Sequence, residues 1–164
     1  MTENRNEDVY TSTNVESAII QGNENEFYEL IDSVDITHRS NNNSNLLHKA
    51  ANVGEPEFTA ELIERGVDMD AQDYENKTPL HRAIEKGHTD VAKILINNGC
   101  SVGIEDEYGA QPLLRAVQNA NIELTELLVK NGADPSHETK NGLSPRDIAE
   151  EFGIEKLTRL CTFK

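Results

Sequence analysis

Three kinds of side chain in this sequence could do chemistry: histidines, cysteines and paired carboxylates. His48 and His81 stand 33 residues apart, in Asn45-Leu46-Leu47-His48-Lys49-Ala50 and Thr78-Pro79-Leu80-His81-Arg82-Ala83. An imidazole can act as a general base, a proton shuttle or a metal ligand, and these two with nearby acids would be the natural members of a catalytic site. His38, His88 and His137 fall in turn or loop positions, and no His, Cys and Asp cluster has zinc-ligand spacing. Cys100 and Cys161 are the two cysteines. A nucleophilic thiol needs a base or cation beside it to lower its pKa, and no motif supplies one. Cys100 follows Gly99 in the phase of Val67 and Ala133 and is expected to be a small buried residue; Cys161 is expected to be partly exposed. Carboxylate pairs such as Asp68 with Asp70, and the run Glu105-Asp106-Glu107, are what chance produces among 30 acidic residues. Acid–base work also needs an enclosing pocket that shifts one pKa. The sequence contains no Gly-rich phosphate loop and no Gly-x-Ser-x-Gly. The chain is expected not to be an enzyme and to carry no cofactor or metal.

The elements that hold these residues follow a repeat. The segment Thr78–Ala83 is echoed 33 residues on by Gln111-Pro112-Leu113-Leu114-Arg115-Ala116, then by Ser144-Pro145-Arg146-Asp147-Ile148-Ala149. Other positions keep the same beat: Gly66, Gly99 and Gly132; Leu62-Ile63, Leu95-Ile96 and Leu128-Val129; Phe58, Val91 and Leu124; Gly54, Gly87, Ala120 and Gly153. Within one unit, Thr78 can cap a helix by accepting a backbone N–H, and Pro79 suits its first turn. Leu80, Ala83 and Ile84 make one apolar face at i, i+3 and i+4. Gly87 ends that helix. A second helix is expected from Thr89 to Asn97, with Val91, Ile94 and Leu95 facing inward and Gly99 ending it. Asn76, Gly109 and Gly142 occupy the turn between units, where residues tolerating positive φ belong.

Composition narrows the rest. The chain has 164 residues, 36% hydrophobic and 27% charged, with 5% aromatic residues and no Trp. A core must come from Leu, Ile, Val and Ala. Thirty acids against fifteen bases give a net charge of −15. Phosphate binding requires an excess of Lys and Arg, so neither nucleic acid nor an anionic membrane is an expected partner. Two cysteines without Cys-x-x-Cys spacing fit a reducing compartment. Met1–Asp8 is polar and acidic, with no apolar stretch of a secretory signal, and apolar runs are too short to span a bilayer. A cytoplasmic protein is expected.

The unit Asp73-Tyr74-Glu75-Asn76-Lys77-Thr78-Pro79-Leu80-His81-Arg82-Ala83-Ile84-Glu85-Lys86-Gly87-His88, closing with Ile94-Leu95-Ile96-Asn97-Asn98-Gly99, resembles the ankyrin repeat, and the resemblance covers about residues 40–164. It implies an all-α solenoid of stacked helix-turn-helix units joined by β-hairpin-like finger loops. It also implies that His48 and His81 pack between units and bond the backbone of the neighbouring finger. The expected organisation is a disordered segment at 1–12, a degenerate N-terminal capping repeat at 13–39, internal repeats at 40–72, 73–105 and 106–138, and a C-terminal capping repeat at 139–164. In the first of these, Ala18, Gly22, Leu30 and Ile31 match Ala50, Gly54, Leu62 and Ile63. In the last, Arg146 replaces the usual Leu and Asp147 the His, as suits a polar end. One unit cannot bury its apolar face alone, so stability is a sum over neighbours.

The resemblance implies a protein-binding role through a concave face of finger tips and first helices. Carried over by phase, the candidate positions are Tyr74, Glu75 and Lys77, Glu107 and Tyr108 on the tips; Glu105 and Glu138 just before them; and Arg82, Glu85, Arg115, Gln118 and Asn119 on the first helices. The tyrosines either anchor a partner or cover their own turns. Arg82 and Arg115 either pair with acids on neighbouring units or await an acidic group on a partner. Asn41-Asn42-Asn43 is either a polar turn or a contact. Charge is uneven: residues 1–72 carry a net −11, residues 73–138 a net −5 and residues 139–164 a net +1. Such acidity either steers a basic partner or serves solubility. The leading expectation is a non-catalytic module, monomeric when unbound, that binds another protein and blocks or scaffolds it. The runner-up is an immunity or inhibitor protein that neutralises a basic toxin or nuclease.

Overall fold

The computed structural model describes residues 14–162, so the segment 1–12, expected to be disordered, lies outside the described residues. The helices come in pairs. They are α1 (14–21) and α2 (Glu24–Leu30), α3 (Leu46–Val53) and α4 (Pro56–Glu64), α5 (Pro79–Lys86) and α6 (Thr89–Asn97), α7 (Pro112–Gln118) and α8 (Ile122–Lys130), and α9 (Pro145–Phe152) and α10 (Glu155–Thr162). A short 3-10 turn, Ile31–Ser33, continues α2. Among the described residues there is no strand. The architecture is an all-α repeat solenoid: α5 packs on α3 and α7, α6 on α4 and α8, and α3, α5, α7 and α9 each on its own second helix.

Local chemistry explains why each first helix starts where it does. Thr78, Asn45 and Ser144 each accept the N–H of the third helical residue, while His81, His48 and Asp147 reach back to the cap's own N–H. These reciprocal bonds satisfy donors that a helix start leaves open. Pro79, Pro112 and Pro145 sit in the first turn. Gln111 makes no capping bond to α7: its longer side chain donates to Gly103 O at 3.1 Å instead, and Leu114 has no polar group for the reciprocal bond.

Burial follows the period. Leu80, Ala83, Ile84, Val91 and Leu95 are buried, and their counterparts Leu113, Ala116, Val117, Leu124 and Leu128 are too. One cluster runs from Ala51 through α5–α10; a second joins α1–α4, with Phe27 and Phe58 in contact at 4.5 Å between ring centres. Ile63 and Met69 touch both clusters.

Three expectations need correction. Ile94 is only half-buried, and Ile96 and Ala92 are buried with Val91 and Leu95. The cause is that α6 is flanked by α4 and α8 as well as covered by α5, so its buried arc is wider than one stripe. Leu30 is half-buried while Ile31 is buried, so the inward residue of the first pair is Ile31, four residues after Phe27 just as Leu62 follows Phe58. Cys161 is buried rather than partly exposed, because α10 folds back on α8 and α9.

Candidate functional site

Between pairs the chain makes a tight hairpin turn. Asp73 N–H donates to Lys77 O at 3.0 Å and Asn76 N–H to Asp73 O at 2.9 Å. The same pair of bonds recurs at Asp106–Ala110 and at Thr139–Leu143. Asn76 adopts φ 56°, which Asn tolerates better than most residues. Side chains brace the turns: Asp73 Oδ1 accepts from the N–H groups of Glu75 and Lys77 at 2.9 and 3.1 Å, and Asp106 Oδ1 from those of Tyr108 and Ala110, both at 2.9 Å.

Successive tips are tied by single backbone bonds. Tyr74 N–H donates to Asn42 O at 3.0 Å, Glu107 N–H to Glu75 O at 2.9 Å and Lys140 N–H to Tyr108 O at 3.0 Å. Lys140 Nζ adds a bond to Glu107 O at 2.7 Å, and Gln72 Nε2 one to Glu105 O at 3.1 Å. The histidines bind tips to helices: Nε2 of His48 meets Lys77 O at 2.9 Å, and that of His81 meets Ala110 O at 3.2 Å. These rings are structural ties. Burial, the main cause, pushes the imidazole of His48 down to about 4 and lowers that of His81 as well.

His88 and His137, which the sequence places in loops, also make inter-unit bonds. His88 Nε2 meets Asn52 O at 3.2 Å, under Gly54. A Cβ on Gly54 would sit 2.3 Å from the His88 ring, and the backbone there has φ 87°, so only glycine fits. His137 Nε2 meets Gly109 O at 3.0 Å and lies 3.3 Å from Glu105 Oε1.

On the α5 unit the candidate residues form a closed charge network. Arg82 Nε and Nη2 donate to Asp73 Oδ2 at 2.8 and 2.5 Å, and Nη2 also contacts Glu75. Arg82 Nη1 reaches Glu85 at 3.4 Å, and Lys77 Nζ bonds both Glu85 oxygens at 3.2 Å. The Asp73 carboxylate is fully buried. Arg82 therefore pairs with acids of its own unit and not with those of neighbours. Its guanidinium is held above its ordinary pKa by these carboxylates against the opposing effect of burial. Desolvation works to raise the Glu85 carboxyl, but Lys77, with smaller help from Arg82 and Arg115, holds it below its usual range.

One unit on, that network is gone. Tyr108 stands in the place of Glu75, Ala110 in that of Lys77 and Gln118 in that of Glu85. Arg115 occupies the Arg82 position but is exposed, with no ion pair or side-chain hydrogen bond to any described residue. Beside it is an open notch of about 220 Å3 between the Asp106–Ala110 and Thr139–Leu143 turns and α7. Leu114, Leu143, Tyr108, Arg115 and Gln118 line its floor and walls, with Lys77 and Glu85 at one end. Tyr108 is 60% exposed and Leu143 38%.

The candidate residues therefore divide. The notch brings together Lys77, Glu85, Tyr108, Arg115 and Gln118. Glu75 and Arg82 belong to the charge network beside it. Tyr74 is exposed on the preceding tip, Glu107 bonds the Tyr108 hydroxyl and Glu105 faces His137. Asn119 donates to Ile84 O at 3.0 Å, and Glu138 is exposed before the last turn. The repeat phase alone does not single out Asp73 or Leu114. The Leu114 signal is in the chain itself, an apolar residue where two earlier units have His.

The residues first considered for chemistry are otherwise engaged. Asp68 pairs with Arg39 at 3.2 Å, and Asp70 accepts the N–H of Ser101 at 2.8 Å. Burial, with a smaller push from Asp70, drives the Cys100 thiol up to about 12, and burial raises Cys161 too, the opposite of activation. Among the described residues no group of three or more His, Cys, Asp or Glu is placed to hold a metal, and no helix is long and apolar enough to cross a membrane.

Paired helices, hairpin tips tied in series and histidines that bind helices to tips define a repeat protein that presents a surface. A family model described as ankyrin repeats, three copies, matches residues 15–106 and again 47–141. The chain belongs to the ankyrin repeat family, whose members generally mediate protein–protein interaction. No curated protein matched the chain in a sequence comparison.

Proposed function

We infer that this chain binds a partner protein on the face made by its hairpin tips and first helices, and that it acts without catalysis, by blocking or scaffolding that partner. The observation that supports this is the pair Tyr74 and Tyr108, 67% and 60% exposed on consecutive tips that are bonded to each other through Glu107 N–H and Glu75 O. Two large aromatic rings on a rigid backbone ladder offer contact area at little cost in side-chain entropy. The unbound chain is taken as a monomer working in the cytoplasm. Photo-crosslinking residues placed at Tyr74 and Tyr108, with controls at Lys93 and Glu123 on the second-helix side, test the reading in cells of origin. Adducts from the tips alone support it; adducts from the second-helix side alone overturn it.

A second reading has its own observation in favour. Residues 1–72 hold a net −11, two-thirds and more of the whole excess, so a cationic partner would be drawn to that end. An inhibitor of a basic protein, such as an immunity protein against a cationic nuclease, uses charge in this way. Its association rate would fall steeply between low and physiological salt. A rate indifferent to ionic strength leaves only the general binding role.

A further inference from the structure

Resting on the binding role inferred above, we propose that the notch between the last two hairpin tips receives an apolar side chain of the partner, with Arg115 clamping an Asp or Glu side chain next to it in an extended internal segment.

Three features converge on that chemistry. The first is what the α5 unit has and the α7 unit lacks. Arg82 is saturated by Asp73, Glu75 and Glu85, whereas the matching positions around Arg115 are Asp106, Tyr108 and Gln118. Only one of those three is an acid. A guanidinium has five N–H donors and prefers a forked carboxylate. Even a bond to Asp106 would leave donors for a second carboxylate. The second feature is the loss of the histidine tie between helix and turn. Lys77 O and Ala110 O each accept two bonds, one closing their turn and one involving a histidine; among the described residues Leu143 O accepts only the turn bond from Thr139. With Leu114 in the histidine position, that bond is absent and an aliphatic side chain replaces the imidazole at the notch. The third is exposure: Leu143 and Tyr108 show large apolar surface to solvent on either side of the notch.

The charges nearby fix the sign. Lys77 is spent on Glu75 and Glu85, and Asp106 on the N–H groups of its own turn. Arg115 is the cation of the notch with free donors, so the complementary group is a carboxylate. Glu85 and Asp106 at the notch repel a second acid placed far from Arg115, which sets a close spacing: the apolar residue and the acid fall within about two positions in an extended chain, given a rise of about 3.3 Å per residue.

Selection from random twelve-residue peptides displayed on phage, each fused at its C-terminus so that no free terminal carboxylate is present, tests this with the full chain as bait. Counter-selection uses Arg115→Glu, which lies on the surface and leaves the core untouched. The expected survivors carry Leu, Ile, Met or Phe within two residues of Asp or Glu. Synthetic versions should bind the native chain and lose about tenfold or more on Arg115→Gln, as expected for one charge-assisted pair, and lose affinity on Leu143→Ser. Survivors rich in Lys and Arg, survivors indifferent to both substitutions, or no survivors at all overturn the proposal. Peptides that depend on Tyr74→Ala instead would sink the notch and keep the binding face, whereas peptides lost only on Lys93 and Glu123 substitution would sink both.

Discussion

Nε2 of His48 lies 2.9 Å from the carbonyl oxygen of Lys77, a bond that ties α3 to the next hairpin turn, and His81 repeats it to Ala110. Both rings are buried, and burial keeps them neutral. Above about pH 6.5 the folded and unfolded rings are alike and contribute no pH dependence. As pH falls below that value, the unfolded chain takes up protons that the folded rings refuse, so stability declines. For His48 the loss continues to about pH 4, where the folded ring also protonates, and amounts to about 3 kcal/mol in all. His81 adds to it in the same direction. Urea midpoints of the native chain and His48→Gln between neutral pH and the acid limb check this. The variant should start lower and fall less, and parallel curves would contradict it.

Ala120 occupies the helix-ending position that Gly54, Gly87 and Gly153 hold elsewhere, and its φ is 51° against 87°, 79° and 63° for the glycines. An L-residue in this left-handed region costs about 1–2 kcal/mol, while glycine gives back part of that gain through unfolded-chain entropy. The Ala120 side chain is exposed and loses no packing on removal. Ala120→Gly is therefore expected to raise stability by about 0.5–1 kcal/mol, seen as a higher denaturation midpoint with an unchanged slope. A lower midpoint would show that the methyl group is making a contact.

How far the chain could be read in advance depends on the range of each interaction. The cap of Thr78 and His81, the Pro79 start and the Leu80, Ala83 and Ile84 face are contacts within one turn or one neighbour, and each is written again 33 residues later. Repetition of local chemistry is visible in a string of letters. The partners of Arg82 are another matter. Asp73 is nine residues back and comes within 2.5 Å only because the hairpin folds it over the start of α5. Cys161 is buried by the return of α10, which no period describes. The notch needs two tips side by side, but half of its cause, Leu114 in a histidine's place, could be read directly.

Leu95 and Tyr108 separate folding from binding. Leu95 has no exposed surface and sits in the cluster that joins α5 to α10. Leu95→Ala is expected to cost about 2–5 kcal/mol through lost burial and the cavity left behind. Tyr108 projects from its tip, and its hydroxyl bonds Glu107 on the same turn, which with the Glu107 charge raises its pKa. Tyr108→Ala should change the thermal midpoint by no more than a surface substitution does, while weakening partner binding. A Tyr108→Ala chain that unfolds would mean that the ring supports the stack.

Arg82 and Arg115 are one period apart and predict opposite outcomes. Removing Arg82 leaves the Asp73 carboxylate, fully buried, with only the N–H donors of Glu75 and Lys77. It also leaves Glu75 and Glu85 with Lys77 as their shared cation. An uncompensated buried charge is costly, so Arg82→Ala should destabilise by about 2–3 kcal/mol. Arg115→Ala removes an exposed cation that makes no ion pair or side-chain hydrogen bond with a described residue and acts on Glu85 only at longer range, so its effect on stability should lie within about 0.5 kcal/mol. Equal losses in the two variants, measured by chemical denaturation at neutral pH, would show that Arg115 is engaged with Asp106 as Arg82 is with Asp73, and that the two units share one network design after all.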